Sequence, residues 1–333
     1  MGFRTVLTLT LCLALSAVQG LGEEQYELRG KVVQTTGKRF KEVLPVVFLQ
    51  GTAEPYTTQT RADTRGRFRF QKLPPGLYTL IIAVPMWGDL QRTIEIGPSG
   101  SNSKGRIERT FRVDREYSRP NLHTVSVQQL SVPRNARREY NRARDRLEKR
   151  DVSGAIKHLE KAVELSPQFT AAWNQLGTIA YLSKEPKKAE LYFREALRQE
   201  ADSYPPLVNL GGALLAQDRV EEAHVINLRA VQMRPDDALA HSQLGRSYFS
   251  LSELDPALRH LKQAKALDPK HFSFPQLVLA QIYELKSDSV SLMWELKEFL
   301  KYHPDSVRVP EMTQWLERTR SSTEDLLLEA ARK

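Results

Sequence analysis

Residues Ala171–Tyr181 read AAWNQLGTIAY, with an amide, Gln175, directly before a Leu-Gly pair. The same pattern returns at Asn209-Leu210-Gly211 and at Gln243-Leu244-Gly245, each 34 residues after the last. Trp173, Leu176 and Gly177 sit on a first helical stretch, and Ala189, Phe193 and Ala196 on a second. One interval later stand Leu207, Leu210, Gly211, Ala223, Ala230 and Pro235, and after another come Leu244, Gly245, Tyr248, Ala257, Leu261, Ala264 and Pro269. A two-helix unit of this length buries its apolar face only against its neighbours, so the pattern predicts a stacked array.

This spacing and these positions identify the segment as similar to the tetratricopeptide repeat. The unit before Trp173 keeps its second helix (Ala155, Leu159, Ala162, Pro167), and the first helix of that same unit, NARREYNRARDRLEK, keeps only Tyr140, Ala143 and Leu147. A fifth unit around Leu279, Ala280, Tyr283, Leu296 and Pro304 is shifted by one residue. Gly177, Gly211 and Gly245 are expected to face Ala189, Ala223 and Ala257 where two helices approach closely. Prolines 167, 235 and 269 force their preceding residues out of helical geometry and end each second helix. Val309–Ala331, with Met312, Trp315, Leu316 and Leu326–Leu328, reads as a closing cap.

From about Tyr26 to Leu130 the pattern has period two. ELRGKVV, LPVVFLQ, RFRFQKL, LYTLIIAV, QRTIEI and RIERTFRV are strand candidates between turn signals, with Phe68 and Phe70 on one face and Arg67 and Arg69 on the other. Thr64-Arg65-Gly66 before RFRF, and Leu73-Pro74-Pro75-Gly76 before LYTL, resemble the carboxypeptidase regulatory-like, or transthyretin-like, family over residues 25–114, with Thr124–Leu130 as an extra strand. The two resemblances imply a two-domain β + α chain: a small antiparallel β-sandwich (25–130), then a right-handed α-solenoid of four to five repeats (134–304) and a capping helix (305–333). They also imply an exported bacterial interaction protein rather than an enzyme.

The N-terminus, MGFRTVLTLTLCLALSAVQG, has one cation, an apolar run from Val6 to Leu15 and small residues near Gly20, which is the pattern of a secretory signal peptide at residues 1–20. A retained anchor is the other reading. Export to periplasm or medium is expected, with no integral membrane segment after cleavage. The sole cysteine, Cys12, lies within that run, so disulfides and thiol chemistry are excluded downstream. Losing Arg4 lowers the formal charge from +9 to +8. That excess reads as solubility, or as affinity for an anionic envelope surface. Eight cations against three acids between Arg134 and Arg150 read as a solvated face rather than a nucleic-acid site.

Gln175 has counterparts at Asn141, Asn209 and Gln243. In tetratricopeptide repeats the first helix lines the concave face, so the resemblance implies a ladder of four amides, whose paired donors and acceptors suit an extended peptide backbone. A purely architectural role for these amides is the alternative. The same family geometry adds Tyr140, Arg144, Asn174, Tyr181, Leu182, Val208, Leu215, Arg246, Phe249 and Leu277 to the groove. Members that clamp a terminal carboxylate use Lys, Asn and Arg at positions held here by Tyr140, Arg144, Gln175, Pro205 and Asn209, so a segment with apolar side chains is expected instead.

The expected partner is a protein or peptide segment of unknown identity. No cofactor and no metal are expected. The seven histidines show neither H-E-x-x-H nor H-x-x-E spacing, no G-x-S-x-G elbow occurs, and Gly97–Gly105 (GPSGSNSKG) reads as a flexible hairpin loop. Two alternatives stay open: glycan or envelope-component binding by the β-sandwich with the repeats as spacer or dimer contact, and a hydrolase with a noncontiguous site. Trp87 is either an exposed tip contact or the cover of a small core.

Overall fold

A computed structural model describes residues 24–36, 40, 43–84, 88–113 and 132–331. The signal peptide at 1–20, the extra strand at Thr124–Leu130 and Trp87 lie outside the described residues.

Seven strands come first: β1 (Tyr26–Gln34), β2 (Val46–Gly51), β3 (Thr57–Arg61), β4 (Arg67–Leu73), β5 (Gly76–Val84), β6 (Gly88–Ile96) and β7 (Arg106–Val113). They form two sheets, ordered β4-β1-β7 and β3-β2-β5-β6. Leu28, Leu73 and Ile107 from one sheet share a core with Leu49, Leu80, Ile82 and Ile96 from the other, all closed to solvent. Each such side chain contributes about 1.5–3 kcal/mol. The expected alternation holds in β4, where Phe68 and Phe70 are buried while Arg67 and Arg69 are exposed.

Two expectations for this region are corrected. Pairing is antiparallel except between β1 and β7, which run parallel from Glu27 opposite Arg106 to Gln34 opposite Val113. Alternation sets which face a side chain takes and carries nothing about a partner's direction. Consequently Gly97–Gly105 is not a hairpin. It crosses from one sheet to the other through a 3-10 turn at Pro98–Gly100 and is held by hydrogen bonds to the helical part of the chain.

Eleven α-helices follow among the described residues. Five pairs are α1 (Arg134–Glu148) and α2 (Val152–Leu165), α3 (Thr170–Leu182) and α4 (Pro186–Gln199), α5 (Tyr204–Leu215) and α6 (Val220–Met233), α7 (Ala238–Ser250) and α8 (Leu254–Leu267), and α9 (Pro275–Leu285) and α10 (Ser289–Tyr302); α11 (Val309–Ala331) closes the series. Met312 of α11 is buried against the last pair, with Trp315 and Leu316 partly buried beside it.

Within each pair the turn contains one non-glycine residue in left-handed conformation: Arg150, Lys184, Asp218, Ser252 and Ser287, with φ between 56° and 64°. Each costs of order 1 kcal/mol relative to glycine. Asp151, Asp237 and Asp288 cap the following helices at α2, α7 and α10 by accepting from the backbone N–H of Gly154, Ala240 and Ser291. Second helices end at Ser166, Arg234 and Asp268, directly before the prolines at 167, 235 and 269.

The repeat glycines meet different partners from those expected. A Cβ on Gly177, Gly211 or Gly245 would collide with Phe193, Asn227 or Leu261, one residue per repeat, four positions beyond the alanines. Helical residues four apart share a face. The small alanines are buried as well, but the glycine makes room for a large side chain. In that column Asn227 stands alone as a polar group among Leu159, Phe193, Leu261 and Leu296, all five closed to solvent.

First helices of successive pairs pack on one another, α3 on α5, α5 on α7 and α7 on α9, whereas each second helix packs closely on the next first helix. A layer whose members touch lies on the inside of a bend. The first helices therefore form the inner face and the second helices the outer face.

The β region is docked on this array. Edge strand β6 and the 3-10 turn that follows it run past three successive repeat junctions: Asp89 lies 3.9 Å from Arg234, the Thr93 N–H donates to Asp268 Oδ2 at 2.8 Å, and from the turn Ser99 Oγ donates to Asp305 Oδ2 at 2.6 Å. The opposite edge, β3, meets the turn of the first repeat, where Thr58 Oγ1 donates to Glu148 at 2.7 Å and Arg150 reaches Glu54 at 3.2 Å. Carboxylates on an edge strand's open N–H groups also protect it from pairing with other chains.

Candidate functional site

The inner-face residues differ sharply in accessibility. On α1, Asn141 is exposed, while Tyr140 and Arg144 are half-buried and Tyr140 leans on Phe169 with ring centroids 5.0 Å apart. On α3, Asn174 and Gln175 are half-buried and Tyr181 is 39% exposed. Burial pushes the Tyr140 phenol up, so it stays a neutral donor.

Farther along the array the amides turn inward. Asn209 Nδ2 donates to Asn174 Oδ1 at 3.0 Å, so adjacent repeats already join two amides. Gln243 is buried, its head against the backbone of Gly212 in the neighbouring first helix, and its Oε1 has no partner among the described residues. Asn141 and Gln175 form no hydrogen bond with the described residues, whereas Gln243 fills a helix contact. The four repeat positions thus grade from open to enclosed along the chain.

Apolar positions sort in the same way. Val208 packs between α5, α6 and α7, and Leu277 lies in the core of the last pairs. Leu182, Leu215 and Phe249 keep partial exposure, and Arg246 and Pro205 are exposed. Open contacts therefore cluster on α1, α3 and the C-terminal half of α7. α3 carries both an amide whose side chain has no partner among the described residues, Gln175, and an exposed tyrosine, Tyr181.

Histidines gather in two places that periodicity does not reveal. His241 Nε2 donates to the Pro235 carbonyl at 2.9 Å, which leaves its Nδ1 to accept from His260 Nδ1 at 2.9 Å, and His260 stacks on Tyr248. Burial, with His241 beside it, lowers His260 to about 4. His271 is lowered to about 3 by burial and by His303, and His303 to about 4 by burial and Lys270. The rings of His260, His271 and His303 are neutral packing elements near pH 7. Among the described residues no group of three or more His, Cys, Asp or Glu is arranged to hold a metal ion.

Two features are absent from the sequence reading. Docking of β6 joins residues more than 140 positions apart by single polar contacts, for which local pattern has no signal. The outer face is different. Leu191 and Val225, 34 residues apart, are exposed by 68% and 66%, and Trp294, two intervals and one residue farther on with Arg259 between, by 62%, so the periodicity already in hand could have found them.

Residues 140–205 and 180–242 match the tetratricopeptide-repeat family. The chain is 26% identical over 160 residues to anaphase-promoting complex subunit 3 of Schizosaccharomyces pombe, covering 48% of this chain and 24% of that protein. It is 32% identical over 112 residues to the type IV pilus assembly protein PilF of Pseudomonas aeruginosa, covering 33% and 44% respectively. The chain thus spans less than half the length of each. Among solved structures, the type IV pilus biogenesis factor PilW superposes with a TM-score of 0.51 at 18% identity, over 60% of this chain and 92% of that one. At that identity the likeness concerns fold. No helix among the described residues is long and apolar enough to cross a membrane. Residues 140–242 of the helical part match the tetratricopeptide-repeat family, and the packing of the helix pairs agrees with that fold.

Proposed function

We propose that the chain is a non-catalytic protein–protein interaction scaffold of the cell envelope that holds a peptide segment against the inner face of its first repeats. The observation that carries this reading is the open surface of α1 and α3. The side chains of Asn141 and Gln175 make no hydrogen bond with the described residues, and Tyr181, 39% exposed, stands near the end of the helix that carries Gln175. Relatives named as a subunit of the anaphase-promoting complex and as a type IV pilus assembly protein support an assembly role. The N-terminal signal pattern supports export.

Amide contacts alone are insufficient. A net hydrogen bond contributes about 0.5–1.5 kcal/mol, against about 8 kcal/mol for micromolar affinity. Tyr140, Tyr181 and Phe249 supply the apolar remainder. Affinity capture from a bacterial envelope fraction tests the proposal, using residues 21–333 as bait beside the same chain carrying Gln175→Ala and Tyr181→Ala. A protein retained by the first and lost by the second supports the groove, and equal capture by both overturns it.

A cleft of about 300 Å³ favours a second reading. It lies between edge strands β3 and β4 and the end of α1, with Gln59, Gln71, Arg69 and Glu148 in its wall. These polar groups suit a hydroxylated ligand such as a glycan. Loss of the captured partner on Gln59→Ala with Gln71→Ala, but not on Gln175→Ala, would select this reading.

A further inference from the structure

The exposed side of every second helix is a stripe of four residues spaced 4, 3 and 4 apart, and on the last two it is Asp255, Arg259, Lys262, Ala266 on α8 and Val290, Trp294, Lys297, Lys301 on α10. Such spacing keeps all four within one narrow sector of a helix. Val290 is 74% and Trp294 62% exposed. They project from the outer face of the bend, where nothing encloses them.

The charge around them is unbalanced. Lys265 of α8 reaches Glu295 at 2.7 Å and Glu298 at 2.9 Å on α10, and Lys286 reaches Asp255 at 3.0 Å. Those contacts engage every acid of the two helices, and with Lys286 counted six cations stand there against three acids. Arg259, Lys262, Lys297 and Lys301 have no carboxylate within ion-pair distance among the described residues, though Lys262 and Lys301 lie over the rings of Tyr283 and Tyr302. Repeats two and three present the opposite case. Arg194, Arg198 and Arg219 are each paired with glutamates on the same face.

We propose that the outer face of α8 and α10 is a seat for an anionic lipid bilayer surface. Trp294 and Val290 enter the interface, and Arg259, Lys262, Lys297 and Lys301 lie at the level of the headgroup phosphates. A protein partner recognises tryptophan by enclosing it in a pocket and itself offers a shaped surface. Projecting apolar groups ringed by unpaired cations match instead a deformable, anionic and laterally uniform surface. This contact is independent of the inner face, which points the other way.

Residues 21–333 are used for the test, so that the apolar run Val6–Leu15 cannot contribute. Sedimentation with phosphatidylcholine vesicles is compared with and without an equal share of phosphatidylglycerol at low and physiological salt. Binding is expected only to the anionic vesicles, decreasing with salt, and accompanied by a blue shift of tryptophan emission that Trp294→Phe abolishes. Each lysine near an anionic surface is worth about 1 kcal/mol, so Lys297→Ala with Lys301→Ala lowers partition about thirtyfold. Lys157→Ala with Lys187→Ala removes the same charge from the first two repeats and should leave partition within about twofold if position matters. Circular dichroism checks that each variant is folded. No anionic binding at low salt overturns the proposal, as does equal loss in the two lysine pairs. Capture of an acidic protein through Trp294 without vesicle binding overturns it too, in favour of a protein contact. Unchanged vesicle binding by Gln175→Ala with Tyr181→Ala keeps this result separate from the inner-face proposal.

Discussion

His303→Phe should remove much of the acid sensitivity of the last repeat. The ring of His303 is closed to solvent, packs edge-on to Phe274 at 4.8 Å and beside Phe299 at 5.1 Å, and neither ring nitrogen has a partner among the described residues. Burial and then Lys270 lower it from 6.5 to about 4, so the folded protein keeps it neutral. A depressed histidine means that the unfolded chain binds the proton first. Stability contributed by the neutral ring is therefore intact above pH 6.5 and is lost as pH falls from 6.5 towards 4.

At pH 5 the loss for this one site is about 2 kcal/mol, set by the ratio of unfolded to folded protonation. His271, lowered to about 3, adds to it with the same sign. Asp268, Glu95 and Glu295, all raised by burial, act in the opposite sense as they protonate. In the variant His271 keeps its burial and loses the contribution of His303 to its shift, so the acid loss that the substitution removes includes that coupled part. Urea unfolding at pH 7.5 and pH 5 should show the variant losing about 2 kcal/mol less than the parent over that interval. At pH 7.5 the variant should be as stable as the parent or slightly more so, since no hydrogen bond is broken. Equal losses in both proteins would refute a buried neutral ring at this position.

Asp268→Ala leaves the Thr93 N–H buried without an acceptor, and hydrogen exchange at Thr93 should quicken by about 1–3 kcal/mol of lost protection, with little change in α3 and α4. Gly177→Ala drives a methyl into the Phe193 ring and should lower the unfolding free energy by about 1–3 kcal/mol; an unchanged urea midpoint would show that the helices separate freely. Asn227→Leu restores the apolar type held elsewhere by Leu159, Phe193 and Leu261. It removes a carbonyl oxygen with no partner at the expense of one bond to Ser247, so the urea midpoint should rise by the equivalent of about 1 kcal/mol, and a fall would mean that Asn227 is required for packing on Gly211.

The helix pairs were legible because each is a local event repeated at one interval, and errors in any single unit are corrected by its neighbours. Strand positions were legible for the same reason, since side-chain alternation is set within a strand. What escaped depends on distant partners. The parallel pairing of β1 with β7, the partners of Gly177, Gly211 and Gly245, and the docking of β6 on Asp268 and Asp305 are fixed by how whole elements meet. For the inner face, one repeated position was read as one environment. Gln243 is enclosed while Asn141 is open, because Gln243 meets Gly211 and Gly212 of the neighbouring first helix whereas Asn141 lies on an exposed side of α1.

The march of β6 along three junctions bears on how this chain tolerates duplication. Repeat arrays commonly gain or lose whole units, since each unit contacts only its neighbours. Here Asp89, Thr93 and Ser99 stand against Arg234, Asp268 and Asp305 in order, and β3 meets the turn of the first unit. Adding 34 residues between the first and third pairs would pull one edge of the β region from its seat while the other stayed bound. The strand behaves as a gauge that holds the unit number constant, and a lineage in which this docking persists should vary in its loops and not in its count of helix pairs.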